Sequence, residues 1–414
     1  MYEKLRWLEG SDDGMDYRNR FQGEAMGPSH PNWRQATERF GKLYERSDDI
    51  RSPFARDYAR ILHCRAYRRL KHKTQVFFSP DNDHICTRIE HVNHVASVSQ
   101  TIAKELGLNV ELVQAIAIGH DVGHAPFGHE GEKILSDLAA AIDGRNFWHE
   151  RHSLRVLDFI EDLTGPDGHE QPLALTYAVR DGIAMHCGEV HEEKLKPRGN
   201  CIDLYSVAKA GDTPAYTWEG CVVKLADKIA YLGRDIEDAL TLQIIRSEQT
   251  AGLLSFARRH LRCDEPLSIT NSSLIHNFTI NVCQTSAPED GVGLAPEYLA
   301  FMKELADFSR CHIYSHPRLE VYKKYARLIL SSIYEFLLEF YSGPETVSAL
   351  SGRLPRPLYL TSYFVEYLNK KIGGPEPLYD LRKESAYREA CLDYLAGMTD
   401  NFAQRCFREI ITFA

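Results

Sequence analysis

The chain has 414 residues, enough for one large domain or two ordinary ones with a sizeable core. Its 43% hydrophobic and 26% charged shares are ordinary for a globular protein, and no run of about eighteen apolar residues marks a membrane span. A net charge of −9 argues against a surface that cradles nucleic acid throughout. The N-terminus lacks the apolar centre of a secretory signal, so a cytoplasmic location is expected. The ten cysteines are scattered without a Cys-x-x-Cys pair and read as reduced, mostly buried thiols.

Taken in chain order, residues 1–50 read as an irregular N-terminal arm with a short helix near 33–46. A helix is expected over 53–72. It lies in a basic stretch (51–73) that sets Arg51, Arg56, Arg60, Arg65, Arg68, Arg69, Lys71 and Lys73 against the single acid Asp57. In an acidic protein this suggests an anionic ligand bound locally. The next helix, 88–106, is closed by Gly107, and Asn109 caps another at 110–120. Helices follow at 127–142, 149–163, 172–186, 218–245 and 250–262; 268–282 is ambiguous between helix and strand. Long helices are expected at 296–309 and 318–341, and 380–412 is helical. Loops rich in Pro, Gly and charge fall at 164–172, 190–217, 284–296 and 343–358. The fold class is all-α. The expected division is an arm (1–50), a core (51–265) and a C-terminal helical region packing on it (266–414).

The densest chemistry lies in IGHDVGHAPFGHE, residues 118–130. On the 88–106 helix the apolar stripe runs through Val92, Val95, Ile102 and Leu106. Arg88 points near its centre, His91 borders it at roughly 80°, and His94 lies roughly 140° away, toward solvent. His91 is then either a ligand or a satisfied histidine at a helix flank. His120 and Asp121 can address one ion only if the helix ends there, as Gly123 and Pro126 indicate. His129 and Glu132 share a face of the following helix, where a carboxylate can orient an imidazole; Glu132 can equally serve the helix dipole. Asp227, Tyr231 and Asp235 line one face of the 218–245 helix. Asp227 sits in an apolar run and needs a metal or an ion-pair partner.

These residues resemble the H…HD…D pattern of HD-domain phosphohydrolases. More narrowly, the stretches 52–77, 87–103, 115–135, 147–161 and 225–238 resemble the deoxyguanosinetriphosphate triphosphohydrolase-like family, and the segment 313–337 extends the likeness. The resemblance implies an all-α enzyme that cleaves a dNTP to the deoxynucleoside and intact triphosphate with one divalent metal ion. Mixed nitrogen and oxygen ligation suits Mn, Mg, Fe or Co. It implies His91, His120, Asp121 and Asp227 as metal ligands and His129 with Glu132 as the catalytic pair. Arg88, His124, His149 and Lys228 would approach the phosphates, and Gln75, Tyr231 and Asp235 would hold the deoxyribose. Some members carry a second acid where this chain has Lys228. A homo-oligomer, often a hexamer, is implied by resemblance alone. Single-stranded DNA is a partner the family allows and the charge does not support. Two other readings compete: an HD-type 5′-nucleotidase or phosphodiesterase, which would not need Gln75, Tyr231 and Asp235 together, and a catalytically silent nucleotide sensor.

Overall fold

The structure is a computed structural model that describes residues 17–44, 48–78, 82, 84–144, 146–186, 193–260, 269–352, 358–374 and 376–412. It is all-α. The only strands among the described residues form two small antiparallel pairs, Asp162–Thr164 with Glu170–Pro172 and Lys194–Leu195 with Val292–Gly293. None of the described helices is long and apolar enough to cross a membrane.

Most expected helices form, with limits set by local chemistry. Arg88–Leu106 starts where Thr87 and Glu90 build a capping box and stops at the left-handed Gly107. Val110–Gly119 starts at the Asn109 cap. The 53–72 expectation resolves into Pro53–His63, Arg65–Arg69 and a short turn over Leu70–His72, because Cys64 turns extended with ψ 157°. The 149–163 expectation was too long. The helix His149–Arg155 passes into a wide turn over Val156–Ile160 and then a strand. The 33–46 helix shrinks to Trp33–Ala36, and the ambiguous 268–282 stretch is helical over Asn271–Thr285. Helices Thr346–Gly352 and Tyr359–Ile372 were not anticipated.

Two apolar clusters organise the molecule. The larger is built around Arg88–Leu106, Val110–Gly119 and Trp218–Thr241, which pack against one another. The second gathers the helices after residue 317 around Gly128–Asp143, with Ile134, Leu135, Leu330, Ile333, Leu360, Phe364, Tyr387 and Leu395 at its centre. The loop after Val110–Gly119 crosses between them: Ile118 and Val122 belong to the first cluster, Ala125 and Phe127 to the second.

That crossing requires glycine. A Cβ on Gly123 would sit 2.1 Å from the Ser153 amide nitrogen, and one on Gly131 would sit 1.8 Å from the Pro126 carbonyl oxygen. Neither backbone atom can step aside cheaply. Gly123→Ala and Gly131→Ala are each expected to lose about 2 kcal/mol or more in urea unfolding, the scale of a forced backbone shift. Gly252→Ala, where a Cβ meets nothing within 4 Å, should be neutral or slightly stabilising.

Candidate metal and phosphoryl site

Five segments converge at the seam between the clusters. The first turn of Arg88–Leu106 directs Arg88 and His91 inward, and both are buried. Beyond Val110–Gly119 the chain leaves helical bonding, so the adjacent His120 and Asp121 reach one space. The Nδ1 of His120 lies 2.6 Å from the Ala117 carbonyl oxygen. A carbonyl can only accept, so Nδ1 holds the proton and the Nε2 lone pair faces the site. From Trp218–Thr241, Asp227 places Oδ1 2.9 Å from His91 Nε2 and 3.8 Å from His120 Nε2. Asp121 Oδ2 lies 3.7 Å from His120 Nε2 and is paired with Arg88 Nη1.

The donor set suits a metal ion. Ligand atoms of His91, His120 and Asp227 lie within 4.8 Å of one another, and the buried Nε2 of His120 has no hydrogen-bond partner among the described residues. Burial would raise the Asp121 carboxyl. Arg88, followed by His120, His124 and His149, outweighs it and holds the group well below the usual range. Asp227 likewise stays ionised against its burial, through the hydrogen bond and charge of His91. Burial lowers His120 to about 4, so its imidazole is neutral near pH 7 and able to ligate.

A second cluster adjoins this one. Glu132 accepts from the His149 amide at 2.8 Å, and both its oxygens lie 3.1 Å from His149 Nδ1. Its contact with His129 Nδ1 is longer, 3.5 Å, and the His129 side chain is 75% exposed. His149 Nε2 looks back at Asp121 Oδ1 from 3.7 Å, and the His124 ring stacks on His149 with centroids 4.6 Å apart. Burial opposes charge on His149, but Glu150, Glu132 and Asp121 prevail and raise it to about 10.

Farther along the same helix, Lys228 and Tyr231 are half-buried and Asp235 is buried. Asp235 Oδ2 accepts from the Tyr314 hydroxyl at 2.5 Å. Burial lifts Asp235 to about 6 despite that bond. The buried Gln75 Oε1 has no partner among the described residues, while the Gln75 backbone carbonyl accepts from Arg88 Nη2 at 3.4 Å.

Two expectations need correction. His94 is half-buried rather than turned to solvent, and burial and Arg234 lower its pKa. It still joins none of the candidate ligand groups among the described residues. The basic stretch is largely committed elsewhere. Arg51 and Arg56 pair with Asp49, Arg60 donates to the Leu173 and Pro172 carbonyls, and Arg69 pairs with Glu161. Lys73 is buried against the His124 and Ala396 carbonyls. These cations brace neighbouring segments, a role that composition does not distinguish from anion binding.

Three side chains at the site were not anticipated. His186, 1% exposed, donates Nδ1–H to the Ile183 carbonyl at 2.7 Å, and its ring lies with its centroid 4.8 Å from that of His120; its Nε2 has no hydrogen-bond partner among the described residues. Glu150 lies with Oε2 3.5 Å from His149 Nδ1. Tyr314 sits in the 313–337 segment, whose likeness could have flagged it. A lone histidine after a helix end, as His186 is, carries no such signal.

The HD domain family matches residues 88–232. The chain is 36% identical over 292 residues to a deoxyguanosinetriphosphate triphosphohydrolase-like protein of Desulfatibacillum aliphaticivorans, covering 70% of this chain and 74% of that one. It is 30% identical over 404 residues to the protein so named in Clostridium tetani, covering 97% of each. The corresponding protein of Caldanaerobacter subterraneus is 31% identical over 366 residues, 88% of this chain and 87% of that one.

The raised His149 pKa has a consequence for the metal-free protein. A folded value of about 10 against an ordinary 6.5 means that His149 contributes stability that is fully present below pH 6.5 and lost as pH rises through about 10. In urea unfolding with chelator present, wild type should exceed His149→Gln most at pH 6, and the gap should narrow toward pH 10. His94→Ala should keep its metal content and lose about 1 kcal/mol of packing.

Proposed function

The chain belongs to the deoxyguanosinetriphosphate triphosphohydrolase-like family and carries an HD domain, and from that premise we propose that it is a metal-dependent dNTP triphosphohydrolase, releasing deoxynucleoside and intact triphosphate. The observation that supports the proposal is a run of adjoining groups: the ligand atoms of His91, His120 and Asp227 lie together, Asp121 adjoins them 3.7 Å from His120, and His149 links Asp121 to the cluster of His124, His129 and Glu132. One divalent ion (Mn, Mg, Fe or Co) held by His91, His120, Asp121 and Asp227 would supply positive charge against the oxygens of the α-phosphate.

The protein's own groups divide the remaining work. Arg88, His124, His149 and Lys228 face the phosphate oxygens. Arg88 contributes a fixed charge, and His149 stays protonated through Glu132 and Glu150. Glu132, tied to His149 on one side and near His129 on the other, orients both rings. The exposed His129 can exchange protons with solvent, and it moves a proton at the attacking water or at the 5′ oxygen of the leaving deoxynucleoside. At the sugar, Tyr314 occupies one oxygen of Asp235, leaving Oδ1 to accept from the 3′-OH. The orphaned Gln75 Oε1 is a buried acceptor that the same hydroxyl would satisfy. Tyr231 lies one helical turn from both Asp227 and Asp235, about 6 Å along the axis from each, and its ring would fill the space a 2′-OH needs. The family premise adds a homo-oligomer to the proposal.

Phosphorus NMR of Mn-loaded protein with each dNTP tests the reaction. Released triphosphate is expected; pyrophosphate or inorganic phosphate would point to a nucleotidase or phosphodiesterase, and no product to a nucleotide sensor. Asp121→Ala should lose both metal and turnover. His129→Ala should keep its metal and slow by roughly 10²-fold, the scale of a general acid–base group. Wild type should cleave dGTP but not GTP, and 2′,3′-dideoxy-GTP poorly, since a site built to bond a hydroxyl rejects analogues lacking it. Tyr231→Ala should admit GTP. Equal kcat/KM for GTP and dGTP in wild type would remove the gate.

A further inference from the structure

The last helix, Asp400–Ile411, lies far from the HD motifs in sequence, and its first residue is buried against them. An acid in the first turn of a helix ordinarily faces that helix's own amides. Here Thr399 is the cap, accepting from the Phe402 amide at 3.3 Å. The Asp400 carboxylate turns elsewhere. Its Oδ1 accepts from the Phe127 amide at 3.0 Å, and its Oδ2 accepts from the Thr74 amide at 3.0 Å and from the Thr74 hydroxyl. All three donors come from segments more than 270 positions away in the chain.

Those donors sit where the candidate site is set. Phe127 and Gly128 are consecutive left-handed residues, with φ 63° and 61°, and the helix carrying His129 and Glu132 rises from them. Phenylalanine rarely adopts that conformation, so something outside the turn must hold it. The turn is also pressed on the 74–75 backbone: a Cβ on Gly128 would lie 3.3 Å from the Gln75 carbonyl oxygen. On the other side of that backbone, the Thr74 and Gln75 carbonyls accept from Arg88 Nε and Nη2 at 3.2 and 3.4 Å, and Arg88 Nη1 pairs with Asp121. Lys73 completes the junction by bridging the His124 carbonyl and the Ala396 carbonyl at the end of the preceding helix.

We propose that Asp400 is a positioning residue of the active site: its carboxylate locks the Phe127–Gly128 turn to Thr74 and thereby fixes Glu132 and His129 relative to Asp121. The C-terminal helices then form part of the catalytic apparatus without touching substrate. The effect on turnover rests on the triphosphohydrolase reading; the effect on the turn does not.

The test pairs hydrogen–deuterium exchange with steady-state kinetics on the full-length protein. Asp400→Asn keeps the size but turns an amide NH₂ toward backbone and hydroxyl donors. Exchange across 124–132 should accelerate about ten-fold or more, the scale of a lost charge-assisted buried hydrogen bond, while 92–103 exchanges as in wild type. By the same scale kcat should fall about ten-fold with metal content intact and KM within about three-fold. Thr74→Val, which removes only the hydroxyl donor, should show smaller changes of the same kind, and Thr74→Ser should restore them. A folded Asp400→Asn with wild-type exchange in 124–132 overturns the proposal. So does uniform acceleration with wild-type kcat, which marks a stability role alone. If Asp400→Asn does not fold, identical exchange in Thr74→Val and Thr74→Ser overturns it. Should wild type release no triphosphate from any dNTP, the functional reading fails while the exchange comparison still decides the role of Asp400.

Discussion

A carboxylate buried as deeply as Asp121 must face positive charge, and the surrounding structure is arranged to meet that demand. Arg88 meets part of it directly. The protonated His149, held by Glu132, lends further favourable field, while burial keeps His120, held by the Ala117 carbonyl, and His124, stacked on His149, neutral. Buried imidazole nitrogens with no partner among the described residues, as at His120, His124 and His186, are costly in a closed core. They make sense around a cation. The charged groups that stabilise Asp121 in the folded chain, Arg88 and His149, are the ones that would face phosphate.

The position of this charge cluster follows from the packing. The 120–127 loop leaves one apolar cluster and enters the other, so its polar side chains fall in the seam between the two cores. Crossing so tightly requires a residue without a side chain where the loop lies on Ser153, which is Gly123, and where the next helix passes Pro126, which is Gly131. The C-terminal helices supply the second cluster and also direct hydrogen bonds to the loop through Asp400 and Lys73. His152 adds another, with Nδ1 2.7 Å from the Gly123 carbonyl oxygen and Nε2 3.4 Å from Asp393 Oδ1. Chemistry and stability thus share residues here.

Much of this was legible in the amino-acid order because local signals agreed with tertiary ones. Thr87, Glu90 and Gly107 bound the helix that carries His91, and its apolar stripe faces the core as periodicity requires. His94 shows the limit of that reasoning. An angle measured from one stripe cannot see the burial of the opposite flank, nor the charge of Arg234 from a neighbouring helix that acts on His94 there. Cys64 shows another: nothing in RILHCRAY marks the single extended residue that splits the helix. A basic run in an acidic chain suggests an anionic ligand, but composition cannot show that Arg60 and Arg69 have distant partners in the Leu173 carbonyl and Glu161. His186 joins the site only through folding.

Anomalous diffraction from crystals of the Mn-loaded protein tests the central claim most directly, since it locates the ion without reference to substrate or product. A single strong peak bonded to His91, His120, Asp121 and Asp227 is the result expected. A peak held instead by His149, Glu150 and His186, whose ligand atoms also lie within 4.8 Å of one another, with His91 and Asp227 still bonded to each other, would contradict it.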